Sequence, residues 1–199
     1  MEVIMKLVSK LLLIFFMLGL VSVCLPQKVL AERKKGVAAF HLHQSKANQG
    51  DANSQFNLAL LYANGAGTPQ NTKQAVYWYT KAAEQGHVQA QYKLGRLYRF
   101  SGDDEVPQDY KLAIFWYTKA AEQGHIFAQY KLGNIYEDGD GAPQDYKQAF
   151  FWYTKATGQG HVFAEDDRDK MLEKMSQSQI EEVQKLSKEL YEKINNKAK

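Results

Sequence analysis

Three histidines recur at one position of an internal pattern: His87, His125 and His161 each follow a glycine, 38 and then 36 residues apart. A recurring imidazole could mark a metal site. Packed helices stand ~8–10 Å apart, however, so equivalent histidines on successive layers cannot share one ion with bonds near ~2 Å. They read as turn residues. His41 and His43, two apart on a helix, diverge around its axis and make a poor chelate. No His-Glu-x-x-His is present. Asp138-Gly-Asp140 resembles the start of a calcium loop, yet Ala142 stands at the next ligand position and Pro143 where the turn glycine belongs. Asp103-Asp104-Glu105 reads as a solvated acidic loop. Ser-x-x-Lys, Lys-Thr-Gly and a Gly-x-Ser-x-Gly elbow are all missing, and neither Gly65-Ala-Gly67 nor Gly139-Asp-Gly141 has the form of a phosphate loop. The expectation is a protein with no catalytic residue, no metal and no cofactor.

Composition bounds the class of protein. The chain has 199 residues, 45% hydrophobic and 24% charged, with 25 basic against 22 acidic side chains. That is an ordinary composition for a folded protein of one domain. A net charge of +3 without a basic stripe gives no reason to expect nucleic acid as a partner. One cysteine excludes an internal disulfide framework.

The first 31 residues stand apart. Lys6 and Lys10 precede an apolar run from Leu11 to Leu25, Pro26 stops it, and Val29-Leu30-Ala31 presents residues that a signal peptidase reads. Residues 1–31 are therefore expected to be a signal peptide cleaved after Ala31, leaving a nearly neutral mature chain without a membrane span. An uncleaved anchor is one alternative, although 15 residues are short for a span of ~20. A lipid anchor through Cys24 is another, but Val23 is bulkier than the residue usually found before a lipidated cysteine.

The elements that must position any site repeat themselves. Ser54-Gln-Phe-Asn-Leu-Ala-Leu-Leu-Tyr62, Ala90-Gln-Tyr-Lys-Leu-Gly-Arg-Leu-Tyr98 and Ala128-Gln-Tyr-Lys-Leu-Gly-Asn-Ile-Tyr136 each lead through a loop to Pro69, Pro107 or Pro143. An Ala-x-x-Trp-Tyr-x-Lys-Ala segment follows at Ala75, Ala113 and Ala149, ending at Gly86, Gly124 or Gly160. Each unit reads as two antiparallel helices, with Asn71, Asp109 and Asp145 as N-caps of the second. At 100° per residue, Ala90, Leu94, Leu97 and Tyr98 form one buried face, and Ala113, Trp116, Tyr117 and Ala120 the other. Gly95 and Gly133 allow close approach of helices, with Trp116 filling space beside the alanines. One hairpin cannot bury its apolar face alone, so copies must stack. The expected divisions are an N-terminal half-repeat at 32–51, repeats at 52–87, 88–125 and 126–161, and a degenerate repeat with cap at 162–199. The cap helix should carry Ile180, Val183, Leu186, Leu190 and Ile194 on one stripe.

These runs, with the Pro-Gln-Asp loop ending and the Ala-Ala-Glu-Gln-Gly helix ending, resemble Sel-one-like repeats, relatives of tetratricopeptide repeats. The resemblance covers roughly residues 34 to 175. It implies an all-α fold, a right-handed α-solenoid of antiparallel helix pairs with a C-terminal capping pair. It also implies an adaptor that binds other proteins, of a kind often exported by bacteria. A periplasmic location is thus expected, with secretion or lipid anchoring as alternatives. Some cysteine-rich members of that family have been described as binding or hydrolysing penicillins, which makes a β-lactamase-like hydrolase a distant alternative; the missing serine motifs speak against it.

In such stacks the first helices line the concave side. The expected groove residues are Asn53, Phe56, Leu60 and Ala63, then Gln89, Tyr92, Arg96 and Arg99, then Phe127, Tyr130, Asn134 and Glu137. In the middle helix these lie at about 180–260° from Ala90, opposite the buried face. The groove should be apolar at the first repeat, basic at Arg96 and Arg99, and mixed at the third. Arg and aromatic anchors favour a protein or peptide partner with an acidic feature over the middle repeat; the alternative ligand is a cell-envelope glycan or peptidoglycan fragment. Tyr77, Phe115 and Phe151 form a possible convex patch, so the chain is expected to be a monomer or weak homo-oligomer.

Overall fold

The computed structural model describes residues 27–100 and 106–197, with the side chains of 27–30, 187 and 189–197 left aside. Most of the expected signal segment, Cys24 included, lies outside the described residues, as does the Asp103–Glu105 loop. Leu190 and Ile194 lie outside the described side chains.

Among the described residues the chain forms helices α1 (Gln27–Asn48), α2 (Ala52–Asn64), α3 (Thr72–Glu84), α4 (Val88–Phe100), α5 (Tyr110–Glu122), α6 (Ile126–Asp138), α7 (Tyr146–Thr157), α8 (Ala164–Glu173) and α9 (Gln177–Lys197). From α1 to α8 each helix packs on the next, most closely within the pairs α2–α3, α4–α5 and α6–α7, and α9 returns to lie on α7. The result is an all-α solenoid. The peptide bond after Ala31 falls inside α1, the first of the described helices.

Local chemistry sets the helix boundaries. Asn71, Asp109 and Asp145 accept the backbone N–H of Gln74, Leu112 and Gln148 at 2.9, 2.9 and 3.0 Å, as N-caps should. Their own N–H groups donate to Tyr62, Tyr98 and Tyr136 carbonyls at 2.8–2.9 Å, which ties each cap to the end of the preceding helix. At the other end, Gly86, Gly124 and Gly160 take φ of 86°, 88° and 84°, a left-handed turn that favours glycine. The next N–H, from His87, His125 or His161, then closes on Ala82, Ala120 or Ala156 at 3.0–3.1 Å.

The histidines are more than turn residues. The Nδ1 atoms of His87 and His125 accept the N–H of Ala90 and Ala128 at 3.2 Å, so each ring, at the end of one repeat, caps the first helix of the next. Each ring also stacks on the preceding layer: His87 on Phe56, His125 on Tyr92 and His161 on Tyr130, with centroids 4.5, 4.4 and 4.1 Å apart.

The core sharpens one expectation: Trp116 packs against a cluster that includes Ala82, Ala83 and Ala90, as expected, but its neighbour Tyr117 is buried more deeply. Of each Trp-Tyr pair the tyrosine is the more deeply buried member: Tyr79, Tyr117 and Tyr153 are sealed, while Trp78 and Trp116 are half-buried and Trp152 is buried but still 8% exposed. The reason lies on the facing helix. A Cβ on Gly95 would meet Tyr117 Cδ1 at 2.6 Å, and one on Gly133 would meet Tyr153 Cε1 at 2.3 Å. The tyrosine ring, not Trp116, occupies the room these glycines leave.

Glutamines join the layers. Gln55, Gln91 and Gln129 are buried, and their side-chain amides donate to Ala47, Ala83 and Ala121 carbonyls of the layer before, at 3.1–3.2 Å. Each then accepts from Gln85, Gln123 or Gln159 at 2.7 Å. Both polar ends are satisfied, as burial demands.

Candidate functional site

Four positions on the first helix of each repeat were expected to face a groove. The structure treats them unequally. Asn53, Gln89, Arg96 and Phe127 are exposed, and Leu60, Ala63, Asn134 and Glu137 are half-buried. Phe56, Tyr92 and Tyr130 are half-buried because a histidine of the following layer stacks on each.

Arg99 does not face the groove as a free cation. It is 8% exposed, and its guanidinium meets Asp140 at 3.1 Å and Asp138 at 3.7 Å. Its length explains the difference, since the side chain leaves its helical stripe and reaches the end of α6 and the loop beyond. Asp138 and Asp140 are thereby assigned an ion-pairing role.

Between α2 and α4 lies a cavity of about 310 Å³ lined by Leu60, Ala63, Tyr79, Lys93, Arg96 and Phe100, among others. Its first-repeat wall is apolar and its second-repeat wall basic. Burial pushes the Tyr79 phenol up to about 12, against the opposing pull of Arg96. Burial likewise raises Tyr92 and Tyr117, and Arg96 opposes both. One guanidinium therefore sits within electrostatic range of three phenols. Lys131 is held below the usual lysine range, first by burial and then by repulsion from Arg99 and Arg96. Positive charge is crowded at the second repeat.

The third repeat is closed by its own side chains. Tyr153 donates its hydroxyl to Glu137 at 2.7 Å and accepts from Asn134 at 2.8 Å. Lys174 donates to the same Glu137 carboxylate at 2.9 Å, and Tyr130 donates to Asp167 at 2.8 Å. Glu137 and Asn134 are thus committed internally.

On the opposite helices, Tyr77 and Phe115 are about half exposed and Phe151 less so. Each sets its ring at an edge to the next residue, Trp78, Trp116 or Trp152, with centroids 4.8–5.1 Å apart. The lysine four residues on, Lys81, Lys119 or Lys155, lies over it at 5.0–5.9 Å. Among the described residues no group of three or more metal-ligating side chains comes together, and no helix is long and apolar enough to cross a membrane.

The family model of the Sel1 repeat matches residues 52–87, 88–125 and 126–161. The chain belongs to the Sel1 repeat family. Its Sel1 repeats are similar to those of a Sel1 repeat protein from Oxalobacter formigenes, a solved structure at 35% identity and TM-score 0.61, over 70% of this chain and 55% of that one. They are also similar to an F-box protein of Arabidopsis thaliana, 38% identical over 63 residues, which are 32% of this chain and 17% of that protein. A sel1-like repeat-containing protein of Acanthamoeba polyphaga mimivirus is 42% identical over 55 residues, 28% of this chain and 10% of the viral protein. The chain thus spans about half of the solved relative and a small part of the two curated ones. Sel1 repeats generally build non-catalytic scaffolds for protein interaction.

Two Sel1-repeat features went unread in the sequence. Lys93 and Phe100 line the cavity, and Lys131 adds charge beside it. A signal was available for the lysines, because Lys93 and Lys131 occupy one repeat position and Asn57 holds it in the first repeat.

Proposed function

We propose that the chain is a non-enzymatic interaction module that takes an extended peptide or partner helix in the groove between its first and second repeats. The observation that carries this reading is Arg96. It is exposed at the rim of an apolar cavity, and no carboxylate of the described residues pairs with it. Leu60 and Ala63 offer an apolar surface, while Arg96 and Lys93 favour an acidic group beside it. Arginine next to aromatic rings is a frequent interface anchor. The lysine-flanked apolar run before Pro26 supports a place for the module in the cell envelope, and intact mass of the exported chain tests that part.

Crosslinked pull-down with wild type and Arg96→Glu tests the groove. Loss of the captured partner is expected for Arg96→Glu; unchanged capture rejects the site. Arg99 belongs outside this test, since its side chain holds Asp140 and Asp138.

A further inference from the structure

Three tyrosines occupy one repeat position, and their hydroxyls meet three environments. In the third repeat Tyr153 donates to the chain's own carboxylate, Glu137, with Asn134 donating back to the phenol oxygen. The equivalent residues in the second repeat are Arg99 for Glu137 and Arg96 for Asn134. Arg99 is drawn away by Asp140 and Asp138. The Tyr117 hydroxyl is buried with no hydrogen-bond partner among the described residues. In the first repeat the equivalents are Leu60 and Ala63, which carry no charge at all.

A buried hydroxyl without an acceptor is rare and costly. Here it lies near Arg96, which is exposed and has no ion-pair partner among the described residues, and near Arg99, whose charge Asp138 and Asp140 meet, while Lys131 is repelled by both arginines. The third repeat shows what completes such a phenol, namely a carboxylate that also meets a cation, since Glu137 bridges Tyr153 and Lys174.

We propose that the Tyr117 hydroxyl and the Arg96 guanidinium form a binding site for an acidic side chain of the partner peptide, whose carboxylate takes the place that Glu137 takes beside Tyr153. Arg96, long and exposed, turns to admit the carboxylate and pairs with it. Lys131 adds attraction from α6. The preceding apolar wall at Leu60 and Ala63 then selects a peptide with an apolar residue near the acidic one. This proposal rests on the groove reading above and sharpens it to one hydrogen bond.

The test uses three acetylated pentapeptides titrated into the chain carrying ¹³C at tyrosine Cζ. One is Leu-Ala-Leu-Ala-Glu with an amidated end, the second has glutamine in place of glutamate, and the third is Leu-Ala-Leu-Ala-Ala with a free carboxylate. The glutamate peptide is expected to shift the Tyr117 resonance and to bind about tenfold or more tightly than the glutamine peptide, as a charge-assisted bond requires. Tyr117→Phe and Arg96→Gln should each lose about that factor, whereas Tyr153→Phe leaves affinity unchanged. Equal binding of glutamate and glutamine peptides overturns the site, as does binding of the free-carboxylate peptide alone. No saturable binding of the glutamate peptide up to about 10 mM overturns it too. If Tyr117→Phe still captures the pull-down partner while Arg96→Glu does not, the groove reading stands and the tyrosine–carboxylate site falls.

Discussion

The rings of Tyr92 and His125 lie face to face, their centroids 4.4 Å apart and their planes 22° from parallel. Nδ1 of His125 accepts the Ala128 N–H, so the ring proton belongs on Nε2, which lies 3.1 Å from the Gln89 amide oxygen. The cap therefore needs the neutral ring, and a cation would also oppose the positive end of the helix dipole.

Acid should loosen the stack. Burial holds His87, His125 and His161 below the ordinary value of 6.5, with Lys131 adding to the effect at His161. Between the unfolded and folded values the unfolded chain binds more protons, so stability rises with pH. The contribution is complete above 6.5 and is lost as pH falls through that value towards the lower folded ones. Melting temperature is expected to drop between about pH 7.5 and pH 5. His125→Asn keeps a cap without a titrating group, and its melting temperature should fall less steeply over the same range.

Close packing makes a second contrast. Gly95→Ala and Gly133→Ala each place a methyl group inside a tyrosine ring's contact distance, at 2.6 and 2.3 Å. Each should cost about 1–3 kcal/mol in urea denaturation through overpacking. The equivalent residue in the first repeat is Ala59, which already faces Tyr79 in a fully packed core. Ala59→Gly should therefore fail to stabilise and instead lose about 1 kcal/mol of helix propensity.

What the sequence made legible was local. Caps at Asn71, Asp109 and Asp145 follow from a short polar side chain three residues before an N–H that needs it, and the repeat itself follows from self-similarity. What it hid was decided between helices. Trp116 and Tyr117 are neighbours at 100° per residue, so periodicity places both at the edge of the buried face; the glycine opposite selects Tyr117. Arg99 falls on the groove stripe by angle, yet its partner Asp140 is 41 residues away along the chain. The orphaned Tyr117 hydroxyl was invisible for the same reason, because it depends on where Arg99 goes.

Arg96 and Arg99 should accordingly separate binding from stability. Arg99→Ala leaves Asp140 and Asp138 without their cation. Because both aspartates are partly exposed, the loss should be about 1–2 kcal/mol, below the 3–5 of a fully buried pair. Arg96→Ala removes an exposed side chain and should change stability by less than about 0.5 kcal/mol. Chemical denaturation of the two variants checks this, and similar losses for both would contradict the assigned roles.

The glutamine ladder predicts coupling. Gln91→Ala strips the Ala83 carbonyl of a donor and leaves the Gln123 amide only its longer bond to the Lys119 carbonyl, and should cost about 1–3 kcal/mol. Gln123→Ala alone touches a more exposed group and should cost less. Because Gln123 acts through Gln91, the double variant should be little worse than Gln91→Ala alone. A double-mutant cycle in urea measures this, and additive losses would sink the coupling.

The last contrast sets Tyr153 against Tyr117. Tyr153→Phe removes the donor to Glu137 and the acceptor of Asn134 in a part-buried network, leaving the Glu137 carboxylate with Lys174 alone. A charge-assisted bond of this kind is worth about 1.5–3 kcal/mol, and denaturation should show a loss in that range. Tyr117→Phe removes a hydroxyl that bonds to nothing within the described residues. Both rings keep their fit against glycine, so packing cancels from the comparison. Tyr117→Phe should therefore be as stable as the parent or more so, by up to about 1 kcal/mol, because the desolvated hydroxyl is gone. A clear loss for Tyr117→Phe would mean that its hydroxyl has a partner in solution, and the two repeats would then be alike where the structure makes them different.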